Sequence, residues 1–241
     1  MGFRFKLIPF VATVLVVALG IQLGNWQERR AAQKLSLQAK LKQGEQAPPL
    51  VLDGTPVAAQ TVEFRRVSLT GAFVRNWPIY LDNRPYQGRA GFYLLMPFKM
   101  AGSGMHVLVE RGWLPRDPQV RDKLPAYATP DGTVTLEGVV RLNAGHVLEL
   151  GSAPPLQPNA IVQNADPLQL ARDSGLTMQA FVVEQTAPAR PSGDDLRLVR
   201  DWPAPTLGVE KHQGYAFQWY ALAAMAVIFF VVNGFRRGKT K

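Results

Sequence analysis

Cysteine is absent from the 241-residue sequence. Disulfide bonds, iron–sulfur ligation, CxxC copper or thiol-redox chemistry and cysteine nucleophiles are therefore excluded. Histidine is scarce too, since only His106, His146 and His212 occur, and they share no metal-ligand spacing with each other or with a carboxylate cluster. The sequence has no GxSxG motif and no nucleophile–base pair around these histidines, which argues against a membrane-bound hydrolase. We expect that the protein is not an enzyme.

Charged residues are absent from two apolar stretches near the ends of the chain, Leu7–Leu23 and Tyr215–Val232. Both stretches are close to the minimum length of a helix that crosses a hydrocarbon core of roughly 30 Å at about 1.5 Å per residue. Both are predicted to be transmembrane helices. A cleaved signal peptide is the alternative for the first, because Arg4 and Lys6 precede it. The run is longer than a usual signal-peptide core, however, and Gly20–Gly24 lacks a small-x-small cleavage site.

Acidic residues are absent from both ends of the chain. The tail after the second stretch has four basic residues, and the positive-inside rule therefore places it in the cytoplasm. Two spans then put the N-terminus there as well and the central region outside. The net charge of +9 arises largely from these ends, because all 18 Asp and Glu lie between them. The slight positive excess of the middle is ordinary for a soluble domain, so no nucleic-acid partner is expected.

Proline and glycine mark where the first helix stops. Asn25–Gln43 is rich in Ala, Leu, Lys, Arg and Gln, which predicts that the helix continues past the membrane surface until Gly44 and Pro48-Pro49 end it. The chain is thus divided into a cytoplasmic N-terminus (1–6), a transmembrane helix (7–23), a helical extension and linker (24–56), an extracytoplasmic β-rich domain (57–211), a second transmembrane helix (212–232) and a basic cytoplasmic tail (233–241).

Short runs of β-branched and aromatic residues, separated by Gly, Asn and Asp, fill the central region. The predicted strands are Thr61–Phe73, Pro78–Leu81, Gly91–Pro97, Met105–Arg111, Thr133–Arg141, His146–Leu150, Ala160–Gln163 and Met178–Val183, with Leu196–Trp202 as a last candidate. One short helix is predicted within Asp166–Gly175, from an N-cap Asp, a following Pro and a terminal Gly. The expected fold class is a membrane protein whose N- and C-terminal helices flank a β-dominated α+β extracytoplasmic domain, a small barrel or sandwich.

Four strings of the sequence follow a known pattern in the same order. They are LGNWQERR (23–30), LDNRPYQGRAG (81–91) followed by Pro97-Phe98, VLVERGWLP (107–115) and KHQGYAFQW (211–219). Together they resemble the surfeit locus protein 1 family, assembly factors for haem–copper cytochrome c oxidase. Two departures exist: Glu210 stands where the family has Asn, and no Trp occurs near Ile161–Asp166.

The resemblance implies a membrane-anchored factor that assists the insertion of haem a into the catalytic subunit of cytochrome c oxidase. The alternative is a scaffold that binds no haem and stabilises a nascent oxidase subunit. The implied partners are that catalytic subunit, haem a synthase as a second candidate, and membrane lipid. The implied location is the bacterial inner (plasma) membrane with a periplasmic central domain, or the mitochondrial inner membrane in a eukaryote.

His212 is the candidate ligand of the haem iron, because it lies at the outer boundary of the second predicted span. On a continuous helix His212, Tyr215 and Trp219 share one face. A neutral imidazole can donate a lone pair to haem iron while flanking rings cover the macrocycle. The alternative is an anchor belt whose rings sit at the lipid headgroups. The candidate cofactor-binding set is His212, Tyr215, Gln218, Trp219, Trp26 and Gln27.

Small residues predict that the two membrane helices pack closely. Gly20 and Gly24 form a small-xxx-small pair, and close packing would bring Trp26 and Gln27 to the depth of Gln218 and Trp219. Gln22 and Gln218 need polar partners in a membrane. They either bridge the two helices, which is the simpler interpretation, or line a pocket for the polar edge of haem.

In the central region, Arg111-Gly-Trp113 is interpreted first as a barrel-closing packing unit with an Arg ion pair. A clamp on a haem propionate is the alternative, because an Arg fork suits a carboxylate. His106 and His146 are interpreted as structural or solvated residues.

Overall fold

The computed structural model describes residues 3, 5–120, 122–148, 154–191, 193–203 and 207–236. The chain divides into two compact units, Met1–Lys40 with Pro205–Lys241 and Leu41–Ala204. We call the first the helical unit and the second the barrel unit. Arg4, residues 149–150 of a predicted strand and residues 237–241 of the predicted basic tail lie outside the described residues.

Two long helices dominate the helical unit: α1 (Leu7–Gln46) and α4 (Val209–Arg236). Both are long and apolar enough to cross a membrane by length and composition. The predicted continuation of the first helix is confirmed, because α1 runs without a break to Gln46, two residues before Pro48. A proline cannot continue a helix and restricts the residue before it, which accounts for the end point.

The elements of the barrel unit are β1 (Leu50–Leu52), α2 (Ala59–Val62), β2 (Arg66–Phe73), β3 (Ile79–Leu81), β4 (Gly91–Met100), β5 (His106–Pro115), β6 (Val134–Arg141), β7 (Ala160–Val162), α3 (Pro167–Ser174) and β8 (Met178–Gln185). Strands β2, β6, β8, β5 and β4 pair in that order, and β4 pairs again with β2. The ring of five strands is therefore closed, which confirms the predicted fold class in its barrel form. Strand β1 joins β2 in parallel, and β3 joins β4 and pairs with β7 in parallel.

The barrel wall separates two cores. Alternate residues of β5 show the division: Val107 and Val109 belong to the cluster inside the ring, and Leu108 belongs to a second cluster outside it. The second cluster contains Leu170 of α3, so this helix covers part of the outer face. The caps of α3 are as predicted, because the Asp166 side chain accepts hydrogen bonds from the first turn and Gly175 ends the helix at φ 73°.

Four predictions about strands are wrong in detail. Strand β2 begins at Arg66 rather than Thr61, because Ala59–Val62 is helical and Phe64 has φ 65°, which interrupts an extended chain. Residues 146–148 form no strand, since Val147 bonds the side chain of Asn164 through both its N–H and its C=O. In Leu196–Trp202 only Val199 pairs, through an isolated bridge to Trp113. Strand β1 lies in the predicted linker, as an edge strand whose Val51 is 73% exposed.

Glu110 is an unexpected carboxyl in the outer face of the barrel wall. It is 2% exposed, faces Glu184 on β8, and its Oε1 has no hydrogen-bond partner among the described residues. Burial, and secondarily the Glu184 carboxylate, raise the pKa of Glu110 to about 8, although Arg84 and Arg141 oppose the shift. The folded chain thus holds a proton here that an unfolded chain, with an ordinary carboxyl pKa near 4.5, releases.

Stability is therefore expected to fall as pH rises from about 5 to about 8, and this contribution levels off above that range. Glu110→Gln removes the titrating group, so at about 1.4 kcal/mol per pH unit the stability of the variant should fall by about 3–4 kcal/mol less than that of the parent over this interval. Urea denaturation of the full chain in detergent at pH 5 and pH 8 measures the difference. Glu137→Gln is the matched control, because Glu137 is on the exposed side of β6. Equal pH dependence of the parent and Glu110→Gln would show that Glu110 is ionised in the folded chain.

Candidate functional site

The close contact between α1 and α4 rests on small residues. A Cβ added at Gly20 would lie 3.0 Å from the Ala223 Cβ and 3.0 Å from the Trp219 carbonyl oxygen. A Cβ at Gly24 would meet the ring of Tyr220. Ala216 and Ala223 are both buried. The predicted small-residue packing of the two helices is therefore confirmed, and it explains why polar side chains at the same level can meet across the contact.

Two polar pairs join the helices beside these glycines. The Tyr220 hydroxyl donates to Asn25 Oδ1 at 2.8 Å. The His212 Nδ1 and Gln27 Oε1 atoms are also 2.8 Å apart. His212 lies in the first turn of α4, and its ring is half-buried. Gln27 is only 8% exposed. His212 and Gln27 are 185 residues apart in the chain, and the helix packing alone brings them together.

The predicted bridge between Gln22 and Gln218 is wrong. Both side chains are exposed, and no hydrogen bond joins them within the described ranges. The reason is helical geometry: Gln22 follows Gly20 by two residues and Gln218 follows Ala216 by two residues, which turns both away from the contact by roughly 200°. The bridging role belongs instead to the His212–Gln27 and Tyr220–Asn25 pairs.

The other candidate residues surround His212 less closely. Trp219 is half-buried, and its carbonyl oxygen faces Gly20. Tyr215 and Trp26 are exposed, and the Arg30 guanidinium lies 5.8 Å from the centre of the Trp26 ring. No hydrogen bond links Tyr215, Gln218 or Trp26 to His212 in the part of the chain that the structure describes. Of the six candidates, the structure joins His212 directly to Gln27 alone.

Asn25 and Tyr220 are two residues of the helix contact that no pattern in the sequence singles out. Asn25 directly follows Gly24, and Tyr220 directly follows Trp219. The sequence signal that could identify them is a polar side chain next to a position where the helices pack. Two polar pairs, about two turns apart on α4, fix both the rotation and the depth of α4 against α1, because an unpaired amide or hydroxyl in an apolar contact is costly.

The Arg111-Gly-Trp113 unit packs within strand β5 of the barrel wall, while the ring itself is closed by the pairing of β2 with β4. The Arg111 side chain is fully buried and ion-pairs with Asp194, and the Trp113 indole N–H donates to the Arg84 carbonyl oxygen at 2.7 Å. Gly112 has φ 150°, and a Cβ there would lie 2.9 Å from the Leu198 Cβ. The packing interpretation is confirmed. The propionate clamp is wrong for Arg111, because its guanidinium is buried and already bonded inside the barrel.

The remaining histidines behave as expected. His106 is buried, and its Nδ1 lies 3.2 Å from the Thr177 carbonyl oxygen, whereas His146 is exposed on a loop. No group of three or more His, Asp or Glu that could hold a metal ion occurs among the described residues. A haem needs only one protein ligand to its iron, with apolar surface for the ring, and half-buried His212 beside exposed Tyr215 meets that requirement.

Comparison with known proteins places these features in one family. The SURF1 family model matches residues 14–224, which include Gly20 and Gly24 of α1 and the start of α4 with His212. The chain belongs to the SURF1 family. Mouse Surfeit locus protein 1 is 28% identical over 237 residues, covering 88% of this chain and 71% of that protein. The human protein of the same name is 26% identical over 238 residues, covering 88% and 72%.

A yeast (Saccharomyces cerevisiae) relative of this SURF1-family chain carries a functional name. Cytochrome oxidase assembly protein SHY1 is 34% identical over 106 residues, which are 43% of this chain and 27% of that protein. The resemblance drawn from the four sequence strings is thereby confirmed.

Proposed function

We propose that this chain is a membrane-anchored assembly factor for cytochrome c oxidase that assists the insertion of haem a into the catalytic subunit. Membership of the SURF1 family and the name of the yeast relative support cytochrome c oxidase as the complex whose assembly this chain assists. The two apolar helices support anchoring. In this proposal haem a is cargo, and the chain carries out no covalent step on it.

The observation that carries the haem part of the proposal is the placement of His212. Its imidazole lies in the first turn of α4, half-buried and steadied by a side chain of α1. Imidazole is a common axial ligand of haem iron, and the exposed ring of Tyr215 one turn further on offers apolar surface for the macrocycle. Trp219 on α4 and Trp26 on α1 are the other aromatic side chains of the candidate set.

A site of this kind suits transfer better than permanent storage. One protein ligand to the iron, with part of the haem left uncovered, gives modest and reversible binding. The client subunit can then supply its own ligands to the exposed side and take the haem over. Binding energy concentrated in a closed pocket would instead slow release, because most affinity differences lie in the dissociation rate.

The proposed placement follows from the charge pattern. The basic tail lies in the cytoplasm, and the barrel unit lies on the opposite side of the inner membrane, periplasmic in a bacterium. The partners are the catalytic subunit, haem a synthase as the source of the cargo, and membrane lipid around α1 and α4.

Loss of His212 is expected to abolish oxidase maturation. Cells that make haem a and lack their own copy of this chain are complemented with the parent, His212→Ala or His146→Ala, at equal protein level. The haem a content of purified oxidase is then measured. We expect full content with the parent and with His146→Ala, whose side chain is exposed on a loop, and little with His212→Ala.

Full oxidase haem a with His212→Ala would contradict haem delivery through His212. It would favour the alternative, a scaffold that stabilises a nascent oxidase subunit without binding haem. Failure of the parent to restore the oxidase would contradict the assembly role itself.

A further inference from the structure

We infer that Gln27 of α1 is a positioning residue that holds the His212 ring in one tautomer, with Nε2 as the atom that binds iron. This inference rests on the proposed function, because it assigns a role within the same site. Its physical basis is a buried amide oxygen that lies 2.8 Å from Nδ1 of a half-exposed imidazole.

The donor and acceptor roles in this hydrogen bond follow from the chemistry of the two groups. An amide oxygen only accepts, so with Oε1 facing the ring the Nδ1 atom must carry the proton. A neutral imidazole has one N–H, and its other nitrogen therefore has the lone pair. That nitrogen is Nε2, which has no hydrogen-bond partner within the described residues. Histidines that bind metals usually donate their second ring N–H to an oxygen in this way.

The rigidity of Gln27 comes from the helix contact. Gln27 follows Gly24 by three residues and Gly20 by seven, so all three share the face of α1 that packs on α4. At 8% exposure the amide has little access to water, and a hydrogen bond in such surroundings is stronger than the same bond in solvent. Without it, the ring would populate both tautomers and more than one rotamer, and fewer molecules would be ready to bind iron.

A neutral amide in this position also sets the strength of the ligand. A carboxylate accepting from Nδ1 would pull the proton more strongly and make Nε2 a better electron donor, which favours ferric haem. Glutamine orients the ring without that increase. The identity of residue 27 is therefore expected to tune both the affinity for haem a and its reduction potential, which suits cargo that must be released.

The test uses the full chain purified in detergent and titrated with haem a. The variants are Gln27→Leu, Gln27→Glu and the control Gln38→Leu, since Gln38 is an exposed glutamine of the same helix, about three turns from Gln27. Gln27→Leu should weaken haem a binding about 10–100-fold. Gln27→Glu should restore the affinity and shift the midpoint potential of the bound haem below that of the parent. Gln38→Leu should match the parent in both measurements.

A role of Gln27 in helix packing alone predicts an unchanged potential in Gln27→Glu, and that result would overturn the inference. So would parent-like haem affinity in Gln27→Leu. Either result, with haem bound by the parent, leaves the proposed function standing. A parent that binds no haem a overturns the inference and the haem part of the proposed function together.

Discussion

Asp194→Ala is expected to destabilise the barrel unit by about 3–5 kcal/mol, the usual cost of removing one partner of a buried ion pair. Against a total of roughly 5–15 kcal/mol for a folded domain, this loss is a large share of the free energy of unfolding. The reason is that two buried cations depend on one carboxylate. Arg111 and Arg200 both ion-pair with Asp194, and the side chains of Arg111 and Asp194 are 0% and 1% exposed.

Other groups bond the same carboxylate. The Gln185 side chain donates to Asp194 Oδ2 at 2.6 Å, and the Ala189 backbone N–H donates to it at 2.9 Å. Burial lowers the pKa of Arg111, while the Asp194 carboxylate opposes that shift. The carboxylate therefore offsets the free energy that burying the charged guanidinium would otherwise cost. Removing it leaves the two buried cations without their counterion and takes an acceptor away from the Gln185 and Ala189 donors.

Urea denaturation of the full chain in detergent measures this effect. Asp131→Ala is the control, because its ion pair with Arg75 is on the surface and such pairs contribute about 0–1 kcal/mol. A loss below about 1 kcal/mol in Asp194→Ala would contradict the buried-network account.

Gly20→Leu is expected to force α1 and α4 apart by roughly 2 Å, the spread of helix-to-helix distances that side-chain size produces. The contact cannot absorb the new side chain, because a Cβ at Gly20 already meets the Trp219 backbone. The chain has no cysteine, so spin labels on cysteines replacing exposed Leu19 and Leu222 report the separation without interference.

Gly214→Leu is the control for this measurement, because nothing lies within 4 Å of a Cβ added at Gly214. It should leave the label-to-label distance unchanged. An unchanged distance in Gly20→Leu would mean that the glycine contact does not set the helix separation.

Local signals allowed some elements to be predicted and left others hidden. The α3 helix was predictable because Asp166, Pro167 and Gly175 act within one short segment. Barrel closure was not, because the pairing of Phe73 with Phe98 depends on where two separate strands meet. The ion pair of Arg111 was anticipated, but its partner Asp194 lies 83 residues away and has no pattern of its own.

In the candidate site too, single residues could be predicted from local sequence, but the contact between them could not. His212 and Gln27 stood out from strings of the sequence, whereas their hydrogen bond depends on the register of two helices at opposite ends of the chain. The Gln22–Gln218 bridge was wrongly predicted because the sequence does not show how the two helices are aligned and rotated against each other. Glu110 could not have been foreseen, because nothing in the sequence says that this carboxyl is buried opposite Glu184.

The most direct test of haem a binding through His212 is an absorption spectrum in the Soret region. The parent, His212→Ala and His146→Ala are purified in detergent from cells that make haem a, and compared at equal protein concentration. The account predicts a haem a band in the parent and in His146→Ala, and its loss in His212→Ala. A band of equal strength in His212→Ala, or no band in the parent, would contradict it.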